Sequence, residues 1–254
     1  MLFCAARAFR ALMKGGTLSK PPQFLRRVRK SLLALKSALL PSPAVAPAAG
    51  PAAKAQTPVF REISREDMLN LPVRRYEGEV VLVAAPGDLA RARKDLLSER
   101  VVGFDTETRP AFKKGESYPP CLVQLGTAHA VYLFQLRERS VFPLIAEVMA
   151  SPHIVKAGVS VADDLRGLKT VFPFVEQNVI DLGNAARRCG MKQTGVRNLA
   201  CMLLGFRITK GNKTSNWAAH TLTPAQINYA ATDAWACREL YLSFENRGLL
   251  AAQG

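Results

Sequence analysis

Residues 101–107 read Val-Val-Gly-Phe-Asp-Thr-Glu, an apolar run that ends on two acids two positions apart. Side chains alternate along a strand, so Asp105 and Glu107 leave the same face side by side. Two carboxylates held that close repel, and the arrangement is costly without a cation between them. The bland alternative is a strand that simply runs out into a polar loop.

Working outward, strand patterns recur at 80–84, 121–125, 130–134, 154–157 and 179–182, the second and third of these forming a hairpin across Gly126–Thr127. Helical patterns are expected at about 86–98, 140–150, 161–172, 183–189, 196–204 and 224–246. Strands first and then mostly helices around a mixed sheet indicate an α/β or α+β domain of roughly 175 residues. No internal repeat, no G-x-G-x-x-G and no G-x-x-x-x-G-K-[ST] occurs, so dinucleotide and P-loop nucleotide binding are unsupported.

Composition narrows the field further. In 254 residues, 48% are hydrophobic, 7% aromatic and 22% charged, which excludes a wholly disordered or fibrous chain. There is no run of 18 apolar residues, which excludes a transmembrane helix and integral membrane association. The net charge of +15 sits mostly in one place: residues 1–58 hold ten basic residues and no acid. For 59–254 that leaves 25 basic residues against 20 acidic ones, a balance of only +5. Within the extension, Phe24, Val28, Leu32, Leu35 and Leu39 recur at helical spacing among arginines, and a Pro/Ala-rich linker follows at 41–58. Such a start resembles an organelle transit peptide, suits an anionic surface or nucleic acid, and is equally that of a solvated flexible tail. Residues 59–75 read as a connecting segment. Five scattered cysteines with no C-x-x-C pair, and three distant histidines, argue against a disulfide framework and against zinc. They point to the cytoplasm or another reducing intracellular compartment.

Two further acids stand where a core would not want them. Thr223, Pro224 and Gln226 spell a helix start, with Thr as N-cap, Pro at the first position and Gln closing a capping box. On that helix Asp233 projects inward between Leu240 and Phe244, and Tyr229 stacks one turn before it. A buried Asp needs a cation or a hydrogen-bond donor; pairing with a nearby Arg or Lys is the plain alternative. Asp163 and Asp164 open the helix after GVSVA (158–162). Ser160 followed by Asp163 has capping-box spacing, which gives Asp163 a structural role. On a helical wheel Asp164 lies about 70° from the buried face and Asp163 about 170°, so Asp164 borders the adjoining cleft. Several carboxylates converging on one point fit two-metal phosphoryl transfer, with oxygen-only ligands favouring Mg²⁺ or Mn²⁺.

FDTET (104–108), GVSVADDLRGL (158–168) and NYAATDAW (228–235), in this order, resemble the three motifs of the DEDD superfamily of 3′–5′ exonucleases. The third resembles the subtype with Tyr four residues before the last Asp, and 215–235 is similar to the RNase D and Werner-type exonuclease domains. The resemblance covers about 76–250. It implies a ribonuclease-H-like α/β fold, a five-stranded mixed sheet flanked by helices, behind the basic N-terminal extension. It further implies that Asp105, Glu107, Asp164 and Asp233 hold two divalent cations, Mg²⁺ or Mn²⁺, and that Tyr229 orients the attacking water. Nucleoside 5′-monophosphates would then be released from single-stranded or recessed 3′ ends of nucleic acid. The rival is a catalytically silent nucleic-acid-binding scaffold of the same fold. Because the chain ends soon after Phe244, affinity is expected to come from the domain itself, the basic tail or a partner.

Lys113, Lys114, Lys210 and Lys213 are candidate phosphate contacts, though for any one of them solvated surface lysine is the plainer reading. Trp217 is a candidate for base stacking, or else packing ahead of a helix. Gln124, among apolar neighbours in a strand, reads as a buried hydrogen-bonding residue.

Overall fold

Short, largely apolar runs, the central ones buried on both faces, form one mixed sheet of six strands among the described residues: β1 (Glu79–Leu82), β2 (Val101–Thr108), β3 (Pro120–Gly126), β4 (Ala130–Gln135), β5 (Val155–Gly158) and β6 (Val179–Asp181). The computed structural model describes residues 62–250 apart from Lys114, Asn212 and Lys213. The extension read over 1–58 and those two lysines thus lie outside the described residues. Strand order is β1-β4-β3-β2-β5-β6. The β2–β3 and β3–β4 pairs are antiparallel and the other three are parallel. The five strands that the family resemblance implies are thereby corrected to six, the number of strand patterns read from the residues. Residues 179–181 complete the β5 edge through Lys156↔Val179, Ala157↔Ile180 and Gly158↔Asp181. Their pairing covers backbone groups that β5 would otherwise leave open.

The helices are α1 (Arg65–Asn70), α2 (Pro86–Leu97), α3 (Phe142–Ala150), α4 (Val161–Lys169), α5 (Leu182–Arg188), α6 (Val196–Leu199) and α7 (Pro224–Asn246). A π-helical stretch, Ala200–Leu204, carries α6 onward. Period-two alternation on β2 builds a core on each side of the sheet. Val102 and Phe104 pack with Leu96 of α2, Ile145 and Val148 of α3 and Leu168 of α4. Val101 points the other way, toward Leu182, Leu240 and Phe244. Gly103, Asp105 and Glu107 share the parity of Val101 and so face the α7 side.

Residues 62–75, the described part of the segment 59–75 read above as a connector, have structure of their own. Ser64 caps α1 by accepting from Asp67 N at 3.0 Å. Ile63 and Gln193 exchange two hydrogen bonds, of 2.9 and 3.1 Å. Val73 forms a parallel bridge with Arg207.

Candidate active site

Helix α7 begins as the sequence dictates. Thr223 Oγ1 accepts from Gln226 N at 3.2 Å, and Gln226 Oε1 accepts from Thr223 N at 2.9 Å. Ala230, Ala231 and Ala234 then let the helix lie close on the sheet, against Leu122 and Leu133. At the crossing point a Cβ on Gly103 would run into the Ala234 carbonyl, so only glycine fits there. This close approach brings Asp233 down onto the C-terminal end of β2. Asp105, Glu107 and Asp233 each contribute a carboxylate oxygen to a group whose members lie within 4.8 Å of one another. Glu107 is 7% exposed and Asp233 6%, while Asp105 keeps a partly open side.

Asp164 comes from the first turn of α4 and stands beside this group. Its Oδ1 accepts from Thr106 Oγ1 at 2.5 Å. Its neighbour Asp163 turns outward, with 82% of its side chain exposed, and pairs with Arg166. The division between the two acids thus follows the helical wheel. The expected capping box does not form. Ser160 is in the left-handed region (φ 62°), which swings its hydroxyl away from the first N–H groups of α4, and no side-chain cap bond results. Its backbone N–H donates instead to Asp181 Oδ1 at 3.2 Å.

Crowding of carboxylates shows in their protonation. Burial, followed by the charges of Asp233, Asp164 and Glu107, pushes Asp105 well above the ordinary carboxylate range. Burial also lifts Asp164, against the Thr106 hydrogen bond, which pulls the other way. Asp233 is pushed by burial up to about 6, opposed by hydrogen bonding from Tyr229 and the charge of Arg197. The phenol of Tyr229 is raised above its usual value by burial and then by the Asp233 and Glu107 charges, so it keeps its proton at neutral pH.

Tyr229 is held from two sides. The Trp217 ring lies 6.1 Å away, tilted by 39°. The Gly211 backbone also packs so closely that any Cβ there would overlap the Tyr229 ring. Trp217 is 1% exposed and packs with Leu122, Leu133 and Leu222, so its ring is part of the buried layer and is not presented to a base. Lys113 and Lys210 are exposed, Lys113 on the β2–β3 loop and Lys210 next to Gly211.

Sequence reasoning missed Thr106, which lies between the paired acids but on the opposite face of β2, and Gly211, whose role is visible only in three dimensions. Cys237, one turn beyond Asp233, is buried close to the acids, and burial pushes its thiol up. Gln124 faces Asp105 directly across the β2–β3 register and is fully buried, yet neither amide atom has a hydrogen-bond partner.

Residues 80–248 match the protein family described as 3′–5′ exonuclease. Among curated proteins, the mouse bifunctional 3′–5′ exonuclease/ATP-dependent helicase WRN is 32% identical over 192 residues, covering 70% of this chain and 14% of its own length. Ribonuclease D of Acidiphilium cryptum is 33% identical over 168 residues, or 64% of this chain and 42% of its own. The chain therefore spans less than half the length of either relative. Of solved structures, the Aedes aegypti Nibbler EXO domain superposes with a TM-score of 0.62 at 22% identity, covering 71% of this chain and 98% of that one. Escherichia coli RNase D gives a TM-score of 0.58 at 23% identity, over 68% and 48% of the two chains. These likenesses establish the ribonuclease-H-like exonuclease fold. Among the described residues, no helix is long and apolar enough to cross a membrane.

Proposed function

We infer that this chain, which belongs to the 3′–5′ exonuclease family, hydrolyses the terminal phosphodiester at 3′ ends of nucleic acid, and that residues 76–250 are its catalytic domain. The observation that carries the reading is the convergence of Asp105, Glu107 and Asp233 within 4.8 Å, with Asp164 alongside. The donor set fits a pair of hard divalent cations. Every donor is a carboxylate oxygen, and among the described residues no lysine or arginine forms a salt bridge with Asp105, Asp164 or Asp233. Asp105, Glu107, Asp164 and Asp233 would hold two Mg²⁺ or Mn²⁺ ions, which supply the charge that activates water and stabilises the leaving 3′ oxygen.

The remaining roles belong to the protein. Tyr229, kept protonated, donates from beside Asp233 and orients the attacking water in line with the terminal bond. Thr106 fixes the carboxylate of Asp164. Gly103 and the alanines of α7 set the distance between Asp233 and β2. Attack on the last phosphorus releases a nucleoside 5′-monophosphate and leaves a 3′-hydroxyl on the shortened strand. Single-stranded or recessed 3′ ends are the proposed substrates, because the terminal phosphodiester must descend between β2 and α7.

The test uses oligonucleotides labelled at the 5′ or the 3′ end, with Mg²⁺ or Mn²⁺. Stepwise shortening of the 5′-labelled strand, immediate release of the 3′ label as a mononucleotide and loss of both with Asp233→Asn are expected. Metal-insensitive retention without shortening would establish a binding scaffold instead.

A further inference from the structure

A cleft of about 960 Å³ has Tyr229 in its lining. One wall is the segment 74–78, the other is 208–211, and Ile227, Asn228 and Thr232 of α7 form the floor. Three of its lining side chains are cationic, Arg74, Arg75 and Lys210, against one acid, Glu77. No described carboxylate forms an ion pair with any of the three cations. Elsewhere on the surface, arginines such as Arg91, Arg93 and Arg100 are forked onto Glu79, Glu147 and Glu245.

The arginine-bearing wall is fixed in place. Tyr76 N–H donates to Thr232 Oγ1 at 3.1 Å, and Asn228 Nδ2 donates to the Tyr76 carbonyl at 3.3 Å. Arg74 N–H donates to the Arg207 carbonyl at 3.0 Å, and Arg207 N–H returns to the Pro72 carbonyl at 2.9 Å. Two guanidinium groups are therefore carried on a backbone pinned to α7, opposite the lysine of the facing wall. The floor between them offers the apolar side of Ile227 and the edge of Tyr76.

We propose that this cleft binds the single-stranded segment leading to the scissile bond, with Arg74, Arg75 and Lys210 taking successive phosphates and the Ile227–Tyr76 floor taking unstacked bases. The proposal rests on the exonuclease reading above. Guanidinium forks suit phosphate oxygens, and an apolar or aromatic floor flanked by cations is the arrangement that holds single strands without sequence preference. Tyr229 lines the cleft and also bonds toward Asp233, so a strand lying here delivers its 3′ end to the acids. The volume reaches the upper limit of about 1,000 Å³ for single-ligand sites, which leaves space beyond one terminal nucleotide.

The test compares the full-length chain with the triple variant Arg74→Gln/Arg75→Gln/Lys210→Gln. A control of equal charge change, Lys94→Gln/Arg139→Gln/Arg188→Gln, alters cations outside the cleft. Binding of a fluorescent single-stranded 12-mer is followed by anisotropy in EDTA over a range of NaCl, and cleavage is followed separately with Mg²⁺. The cleft variant should bind at least ten-fold more weakly than the control, with a log–log salt slope shallower by about 2, from about 0.7 per lost phosphate contact. Equal affinity and slope in the two variants would overturn the proposal even if both cleave. Loss of binding in the cleft variant alone, with no cleavage by the wild type, would sustain the cleft and defeat the exonuclease reading.

Discussion

Thr106 Oγ1 donates to Asp164 Oδ1 at 2.5 Å, a side-chain bridge between the end of β2 and the first turn of α4. Thr106 lies between Asp105 and Glu107 in sequence but on the other face of the strand, so one strand end both carries two acids and orients a third. Thr106→Val removes the donor at nearly constant volume. The expected result is a fall in kcat of about ten-fold, equivalent to about 1.4 kcal/mol in the barrier, with Thr106→Ser close to wild type. Wild-type kcat in the valine variant would show that Asp164 is positioned without this bond.

The adjacent acids of α4 separate cleanly. Asp164→Ala should abolish metal-dependent cleavage. Asp163→Ala removes an exposed pair with Arg166 and should keep most activity, at about 0.5 kcal/mol or less of stability. A side-by-side nuclease assay with the opposite pattern would mean that α4 sits in another register.

Metal-free stability should depend on pH in an unusual direction. Asp105, Asp164 and Asp233 are all raised by burial, Asp233 to about 6. A carboxyl raised above its unfolded value of about 3.9 contributes stability that is complete below that value and is lost as pH rises through the folded one. In EDTA the melting temperature should therefore fall as pH rises above about 4, with the contribution of Asp233 gone above about pH 6. Millimolar Mn²⁺ should reverse the trend, because ligands that are deprotonated at pH 7.5 bind it more tightly. A flat profile in EDTA would remove the crowding of these acids as an energetic fact.

Gly211 is a test of how tightly Tyr229 is held. A Cβ at this position would overlap the Tyr229 ring, and relief requires the loop or the ring to move. Gly211→Ala should lower kcat several-fold while leaving the melting temperature nearly unchanged, since Gly211 is exposed. Tyr229→Phe should be milder than Asp233→Ala, because it removes an orienting hydroxyl and not a charge. If Gly211→Ala is fully active, the loop is free to yield, and the Tyr229 orientation is set by Trp217 alone.

Sequence pattern reached the fold because each deciding feature is local. Period two on β2 put Asp105 and Glu107 on one face, and the Thr223–Gln226 box fixed the start of α7 within a residue. The same rule of spacing failed at Ser160, where a left-handed backbone defeated a capping box that the residue types allowed. It missed the contacts of 62–75 as well. The fixing contacts there, Ile63 with Gln193 and Val73 with Arg207, span well over a hundred positions, and no local period records them. The clamp on Tyr229 by Gly211 and the pairing of Thr106 with Asp164 were hidden for that reason. Lys156 is a different case, since its partners are local: fully buried on β5, it donates to the Ser151 and Ile154 carbonyls at 2.7 and 2.8 Å, and burial lowers its ammonium to about 8.

Gln124 turns the same structure into a prediction about stability. It sits opposite Asp105 in the β2–β3 register, fully buried, with both Nε2 and Oε1 lacking partners. A buried amide without hydrogen bonds costs about 1–3 kcal/mol, and an apolar side chain of similar shape removes that cost. Gln124→Leu should therefore raise the melting temperature of the metal-free protein, by about 2–4 °C for each kcal/mol recovered in a domain of this size. The opposite sign is equally informative. Trp217 Nε1, on the same α7-facing side of the sheet, is also without a partner. A water held between indole and amide would satisfy both, and its loss would make Gln124→Leu destabilising. Trp217→Phe separates the cases: with a shared water, the double variant costs less than the sum of the single ones, whereas independent orphans add.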